Sequence, residues 1–224
     1  MSITKTDFMR GMQCPRMLWL DKHHPEWKVI PPEIQQKLDG GNEFGDKAMG
    51  MFGPFEEMTE YIPNTSYPDK KKMVLNTKRH LKLGTANICE AAFDFNGSYC
   101  AVDILHKTET GYEMYEVKNS PEVKKQFIQD AGYQAWVLEK CGLKPEKVFI
   151  VYHGANEEDP YVPVDVTEEA GKYSAVVEAN IDRLNVVKFS KFEICMEPGE
   201  QCSDPYECWY WNVCHKDELA ESGR

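Results

Sequence analysis

Between Ile88 and Phe95 apolar and polar positions alternate, the mark of a strand with two different faces, and Asn96-Gly97 ends the pattern. Asn-Gly is the strongest short-range hairpin signal, so 87–95 and 99–107 are predicted to pair antiparallel. Tyr112 to Val117 follows the turn around Gly111 as a third neighbouring strand. Ser120-Pro121-Glu122 then reads as a helix cap with proline at the first helical position. The helix it opens, running to about Lys140, places Val123, Phe127, Ala131, Ala135 and Leu138 inside. Gly142 closes that helix, and Lys147 to Tyr152 is a buried strand by its Val-Phe-Ile-Val run. A strand–helix–strand unit of this length implies a parallel crossover and therefore an α/β fold around a mixed sheet.

The flanks are helical. Thr4-Lys5-Thr6-Asp7 is a helix start, and Pro15 suits the first turn of a second short helix with Cys14 just before it. From Pro31 to Phe52, Ile34, Leu38, Phe44, Ala48 and Met51 recur at helical spacing, interrupted by Gly40-Gly41 and Gly45. Either one helix passes close to another backbone at its glycines, or two short helices meet there. Residues 53–68 form a proline-rich connector, and Asp69 to Leu83 a lysine-rich helix. Residues 154–160 read as an acidic loop, and Thr167 caps a long helix with Tyr173, Val176, Val177, Ile181, Leu184 and Val187 on one face. After Phe192 the pattern becomes irregular.

At 224 residues, 42% hydrophobic and 28% charged, the chain is expected to be one domain with a full core and not a disordered or fibrous protein. No apolar run approaches the roughly 20 residues of a membrane helix, so the expected setting is the cytoplasm without a membrane partner. The net charge of −11 argues against coating nucleic acid by bulk attraction. It leaves room for an enzyme whose acidic centre recruits a cation and whose substrate is held by local basic patches. Lys70-Lys71-Lys72 with Lys78, Arg79, His80 and Lys82 is such a patch, or equally a solvated helix face.

The three adjacent strands carry the candidate chemistry. Asp103 lies on one and Glu116 with Lys118 on the next, where period-two alternation sends Glu116 and Lys118 the same way and Val117 inward. Two carboxylates and an ammonium suit a hard divalent cation, Mg²⁺ or Mn²⁺, beside a phosphate, with a charged donor left to position attacking water. Glu90 is expected at the rim. Gln129, Asp130, Tyr133 and Gln134 form a polar stripe on the following helix, and its place beside the site favours contact with substrate.

Eight cysteines in such a chain point to metal or buried thiols more than to disulfides. Cys89, Cys100 and Cys141 fall inside regular patterns and read as buried residues. Cys202, Cys208 and Cys214 recur with five residues between each pair, among Pro205, Tyr206, Trp209, Tyr210 and Trp211. That spacing lacks the close pairs of structural zinc and suits a four-cysteine iron–sulfur cluster, with Cys14 as fourth ligand and Cys195 as runner-up. Such a cluster would clamp the two chain ends around the core.

The order Cys14, Asp103, Glu116-Val117-Lys118, a Gln/Tyr helix, then Cys202, Cys208 and Cys214 resembles the iron–sulfur branch of the RecB-like nucleases. Its members include CRISPR-associated exonucleases of the fourth Cas family and the nuclease domain of AddB. The resemblance implies a PD-(D/E)xK, restriction-endonuclease-like fold. Its core would span about 31–190, and a [4Fe-4S] lobe would be built from about 1–30 and 191–216. It implies Asp103, Glu116 and the Val117 carbonyl as Mg²⁺ or Mn²⁺ ligands, Lys118 as the catalytic lysine, and exonuclease action on single-stranded DNA ends. The resemblance implies that Tyr133 and Gln134, or Gln129 with Tyr133, take the place of the family's Gln/Tyr motif; Gln129 and Tyr133 fit its spacing literally, and Asp130 and Gln134 fit it if the helix is slid by one. Many relatives carry a metal-binding histidine where this chain has Gly45, and Glu43 is a candidate substitute. The alternative is a catalytically weak DNA-binding adaptor in CRISPR adaptation or repair; CRISPR or helicase proteins are the expected partners.

Overall fold

The computed structural model describes residues 2–156 and 159–215. Its strands are β1 (Ile3–Thr4), β2 (Glu56–Glu57), β3 (Asn87–Phe95), β4 (Ser98–Lys107), β5 (Tyr112–Lys118), β6 (Val148–Asn156) and β7 (Asp159–Asp165). Its helices are α1 (Lys5–Gln13), α2 (Pro15–His23), α3 (Pro32–Ala48), α4 (Lys70–Leu83), α5 (Lys125–Lys140), α6 (Thr167–Phe189) and the short α7 (Trp211–Cys214). The strands form one mixed sheet in the order β2-β3-β4-β5-β6-β7, with β1 laid against β4. The hairpin is as expected: Asn96 and Gly97 both have positive φ, the geometry of a two-residue turn that fits strand twist, and Phe95 faces Ser98 across it. β5 and β6 run parallel through the α5 crossover.

Apolar residues close both faces. One core packs Phe8 of α1, Leu18 of α2, Ala131 and Leu138 of α5 and Val177 and Leu184 of α6 against Ala91, Val102, Met114 and Ile150. The other packs Ala48 and Met49 at the end of α3 on Cys89, Ile104, Tyr115, Val117 and Val151. Thr4 caps α1 in a capping box with Asp7, as the sequence indicates, and Pro15 opens α2.

Three elements differ from expectation. Ser120 does not cap α5, which starts at Lys125. Instead Ser120 is tied to β6, its carbonyl accepting from His153 N–H at 2.8 Å, and its hydroxyl donates to the Glu122 carbonyl at 2.9 Å. The chain thus crosses from strand to helix in a turn. The expected acidic loop is largely strand, with β7 pairing antiparallel to β6; Pro160 and Pro163 are tolerated because β7 is an edge strand. Glu157 and Glu158 lie outside the described residues, as does position 216 of the expected lobe. The stretch from Pro31 forms one helix to Ala48, followed by a single tight turn. The surroundings of Leu38 and Gly40-Gly41 lie outside the described side chains.

The third difference shapes the site. Cys100, Val102 and Leu105 face one core while Ile104 faces the other, so the alternation of β4 slips by one at Asp103. β3 slips in the same place: Ile88 and Ala91 share a core, with Cys89 opposite. Between Cys89–Ile104 and Ala91–Val102 the register sets Glu90 against Asp103, and Glu90 adopts φ +51°, a left-handed backbone unusual for a residue with a side chain.

Candidate active site

The pairing of β4 with β5 ends at Ile104–Tyr115. Beyond it the strands part, and Val117 N–H, left without a strand partner, donates to Asp103 Oδ2 at 2.6 Å. In an extended strand the carbonyl of a residue projects to the same side as its N–H, so Val117 C=O also faces this gap. The gap opens into a cavity of about 1020 Å³ lined by Asp46, Glu57, Glu90, Asp103 and Glu116 with Lys5 and Lys118. Five carboxyl groups against two ammonium groups give the cavity an excess of acid, which protonation or a bound cation relieves.

Glu116 is fully buried and makes most of the contacts. Its Oε1 takes Lys5 Nζ at 2.7 Å and Lys118 Nζ at 2.8 Å, and its Oε2 accepts from Gln134 Nε2. Lys118 also reaches Asp130 Oδ2 at 2.8 Å. Burial alone would push the Glu116 carboxyl up, yet Lys118 and Lys5 outweigh it and hold it well below the usual range. Asp103 goes the other way: burial first, then the Glu116 charge, push its carboxyl up. Glu90 is pushed up to about 7 by burial and then by Glu116. For Lys118, burial works against the charged form but Asp130 and Glu116 more than offset it, so the ammonium keeps its proton.

The structure brings Asp103, Glu116, Val117 and Lys118 together and settles the register of the α5 stripe. Asp130 and Gln134 reach the site. Tyr133 does not: its ring is fully buried and its hydroxyl donates to the Ile3 carbonyl at 2.7 Å, which ties α5 to β1. Gln129 lines no part of the cavity. Glu43 does not line the cavity; it is exposed and paired with Lys47 at 2.7 Å. At about 100° per residue it is turned roughly 200° from Gly45, whereas Gly45, Asp46 and Met49 face the cavity. A side chain at Gly45 would meet nothing within 4 Å, so no close backbone approach explains that glycine. Sequence reasoning missed Lys5, for which no local signal exists because 111 residues separate it from Glu116. It also placed Glu90 at the rim, and Asp46 was not considered.

Cys14, Cys202, Cys208 and Cys214 line one small cavity roofed by Met17, Leu20 and Tyr210. Burial raises the thiols of Cys14 and Cys214 and pushes Cys208 up to about 11. Cys195 is exposed and lies outside that cavity. Among the described residues no three His, Cys, Asp or Glu side chains stand close enough to form a metal centre, here or in the acidic cleft. In the cleft the reason is visible: Lys5 and Lys118 sit on Glu116 as internal counter-charges. The donor types nevertheless fit. Buried hard oxygens suit Mg²⁺ or Mn²⁺, Gln134 Oε1 is buried with no partner among the described residues, and four soft sulfurs sharing a cavity suit iron or zinc.

No family model and no curated protein matches the chain. Among solved structures it is similar to an alkaline exonuclease (LHK-Exo) from Laribacter hongkongensis, with a TM-score of 0.41 and 13% identity over 82% of this chain and 91% of that one. At that distance the residues of the cleft, and not the likeness, carry the functional argument. Among the described residues no helix is long and apolar enough to cross a membrane.

Proposed function

We propose that this protein is a metal-dependent deoxyribonuclease acting on single-stranded DNA ends, with a structural [4Fe-4S] cluster held by Cys14, Cys202, Cys208 and Cys214. The single observation that supports it most is the junction of Asp103, Glu116, Val117 and Lys118 at the parted strands, inside a cavity with acid in excess. Asp103, Glu116 and the Val117 carbonyl are the residues to hold Mg²⁺ or Mn²⁺, with Glu90 and Asp46 nearest to assist. Such an ion polarises a phosphate and acidifies water.

The chain's own side chains have separable parts in this reading. Lys118 keeps its proton, so it serves as a fixed positive charge that orients water and offsets charge growing on the phosphate, and not as a general base. Asp130 and Glu116 fix its direction at 2.8 Å each. Gln134 holds the second oxygen of Glu116, so that carboxylate is set by α5 as well as by β5. Lys5 adds a second ammonium from α1, the helix that runs directly into Cys14. The cysteine lobe thus bears on the site through α1.

The test is anaerobic purification with iron and sulfide analysis, followed by cleavage of end-labelled single strands with Mg²⁺ or Mn²⁺. Cleavage should require the metal and vanish in Lys118→Ala and Asp103→Ala while the melting transition persists. Full activity in purified Lys118→Ala would refute the assignment, and a colourless protein without iron would remove the cluster.

A further inference from the structure

Beside the acidic cleft lies a second cavity, of about 340 Å³, between α1 and the loop that follows Cys202. Its size falls within the roughly 300–1000 Å³ of small-ligand sites. Its walls are mostly apolar: Met9 and Met17 from the two N-terminal helices, Ile34, and Pro205, Tyr206 and Trp209 from the loop. Lys5 lines both cavities, and Asp130 lines this one while pairing with Lys118 of the cleft, so the two are neighbours. Thr6, Arg10, Gln13 and Glu207 complete it.

The aromatic groups are held in place from behind. Gln13 Nε2 donates to the Tyr206 carbonyl at 2.6 Å and to the Gln201 carbonyl at 2.9 Å, which pins the loop to α1. Arg10 lies over the Trp209 ring at 4.1 Å and is itself paired with Asp21. Tyr206 remains 49% exposed on this pinned loop, and it shares the cavity wall with Lys5 and Asp130. A half-exposed aromatic ring beside an apolar hole offers a flat face for stacking, and a nucleobase is a group that pairs such a face with an adjoining phosphate.

We propose that this pocket receives one unpaired base of the DNA strand, stacked on Tyr206 and walled by Trp209 and Met9, while the phosphate beside that base lies in the acidic cleft. The inference rests on the nuclease reading and gives its single-strand selection a place in the fold: a base can enter only when it is free of its own stack, so the pocket favours single strands over duplex. Base identity is not read, because every base presents a π-face for stacking on Tyr206.

The experiment measures binding of a fluorescein-labelled oligothymidine, and of the same strand annealed to its complement, to the full chain by anisotropy with Ca²⁺ replacing the catalytic metal. Tyr206→Ala should weaken single-strand binding by about 5- to 150-fold, the range of one lost base stack, and leave duplex binding unchanged. Tyr206→Phe should bind as the parent does. Thr6→Phe narrows the pocket from an exposed helix position without touching the core, and should weaken the single strand alone, which keeps the test open if Tyr206→Ala unfolds. Equal losses on both DNAs, no loss on the single strand, or no binding of it by the parent would overturn the pocket. A protein that binds oligothymidine through Tyr206 but cuts nothing with Mg²⁺ or Mn²⁺ would keep the pocket and refute the nuclease. One that cuts and ignores Tyr206→Ala and Thr6→Phe would do the reverse.

Discussion

Replacing Tyr133 by Phe separates a structural tyrosine from a catalytic one. The ring is fully buried and its hydroxyl donates at 2.7 Å to the carbonyl of Ile3 in β1. Phe keeps the packing, including the Phe8 ring at 5.3 Å, and removes the hydroxyl, which also hydrogen-bonds the buried Ser98 side chain. A buried carbonyl left without that partner costs about 1–2 kcal/mol, since the net value of a typical bond is about 1 kcal/mol and desolvation of the stranded group adds to it. At about 2–4 °C per kcal/mol for a chain of this size, the melting temperature should fall by roughly 2–8 °C. β1 stays attached through Ile3 N–H to the Gly97 carbonyl at 2.9 Å, so Lys5 keeps its place and kcat should stay within about twofold. Calorimetry paired with single-turnover cleavage below the new transition provides the two readings. A tenfold or larger loss of kcat with an unmoved transition would show that Tyr133 acts in the site and that Asp130 and Gln134 do not hold its motif.

Two further predictions concern the cleft. Because the folded-state carboxyl of Glu90 is pushed up to about 7, above its ordinary 4.5, its ionisation costs stability that begins to accrue above pH 4.5 and is complete above pH 7. Glu90→Gln should therefore match the parent at pH 4 and exceed it by about 1–3 kcal/mol at pH 8 in chelator, measured by urea unfolding; an equal gain at both pH values would contradict the cause given. Gly45→His places an imidazole where nothing lies within 4 Å, on a helix face lining the cleft, and should stabilise α3 by about 0.1–0.4 kcal/mol while shifting metal preference from Mg²⁺ toward Mn²⁺. Unchanged metal preference in cleavage assays would place position 45 outside the coordination shell.

Local pattern was enough for the parts of this protein that depend on neighbours in sequence. The Asn96-Gly97 turn, the capping box at Thr4, Pro15 opening α2, and Glu116 and Lys118 on one side of β5 all follow from backbone preferences and period-two geometry. Cys14, Cys202, Cys208 and Cys214 line one cavity, but among the described residues no three of them stand close enough to form a metal centre. What the sequence left open was settled by contacts between distant segments. Asp130 and Gln134, and not Gln129 and Tyr133, meet the site because α5 packs with one rotation over β5, and a helical stripe alone does not reveal which flank faces the sheet. Lys5 arrives from α1, and the paired slip of β3 and β4 at Glu90 and Asp103 breaks the alternation on which strand reading depends. Local sequence sets which way a side chain points from its own backbone. Only tertiary packing decides what charge stands opposite it, and in this cleft the opposing charges decide what the carboxylates can do.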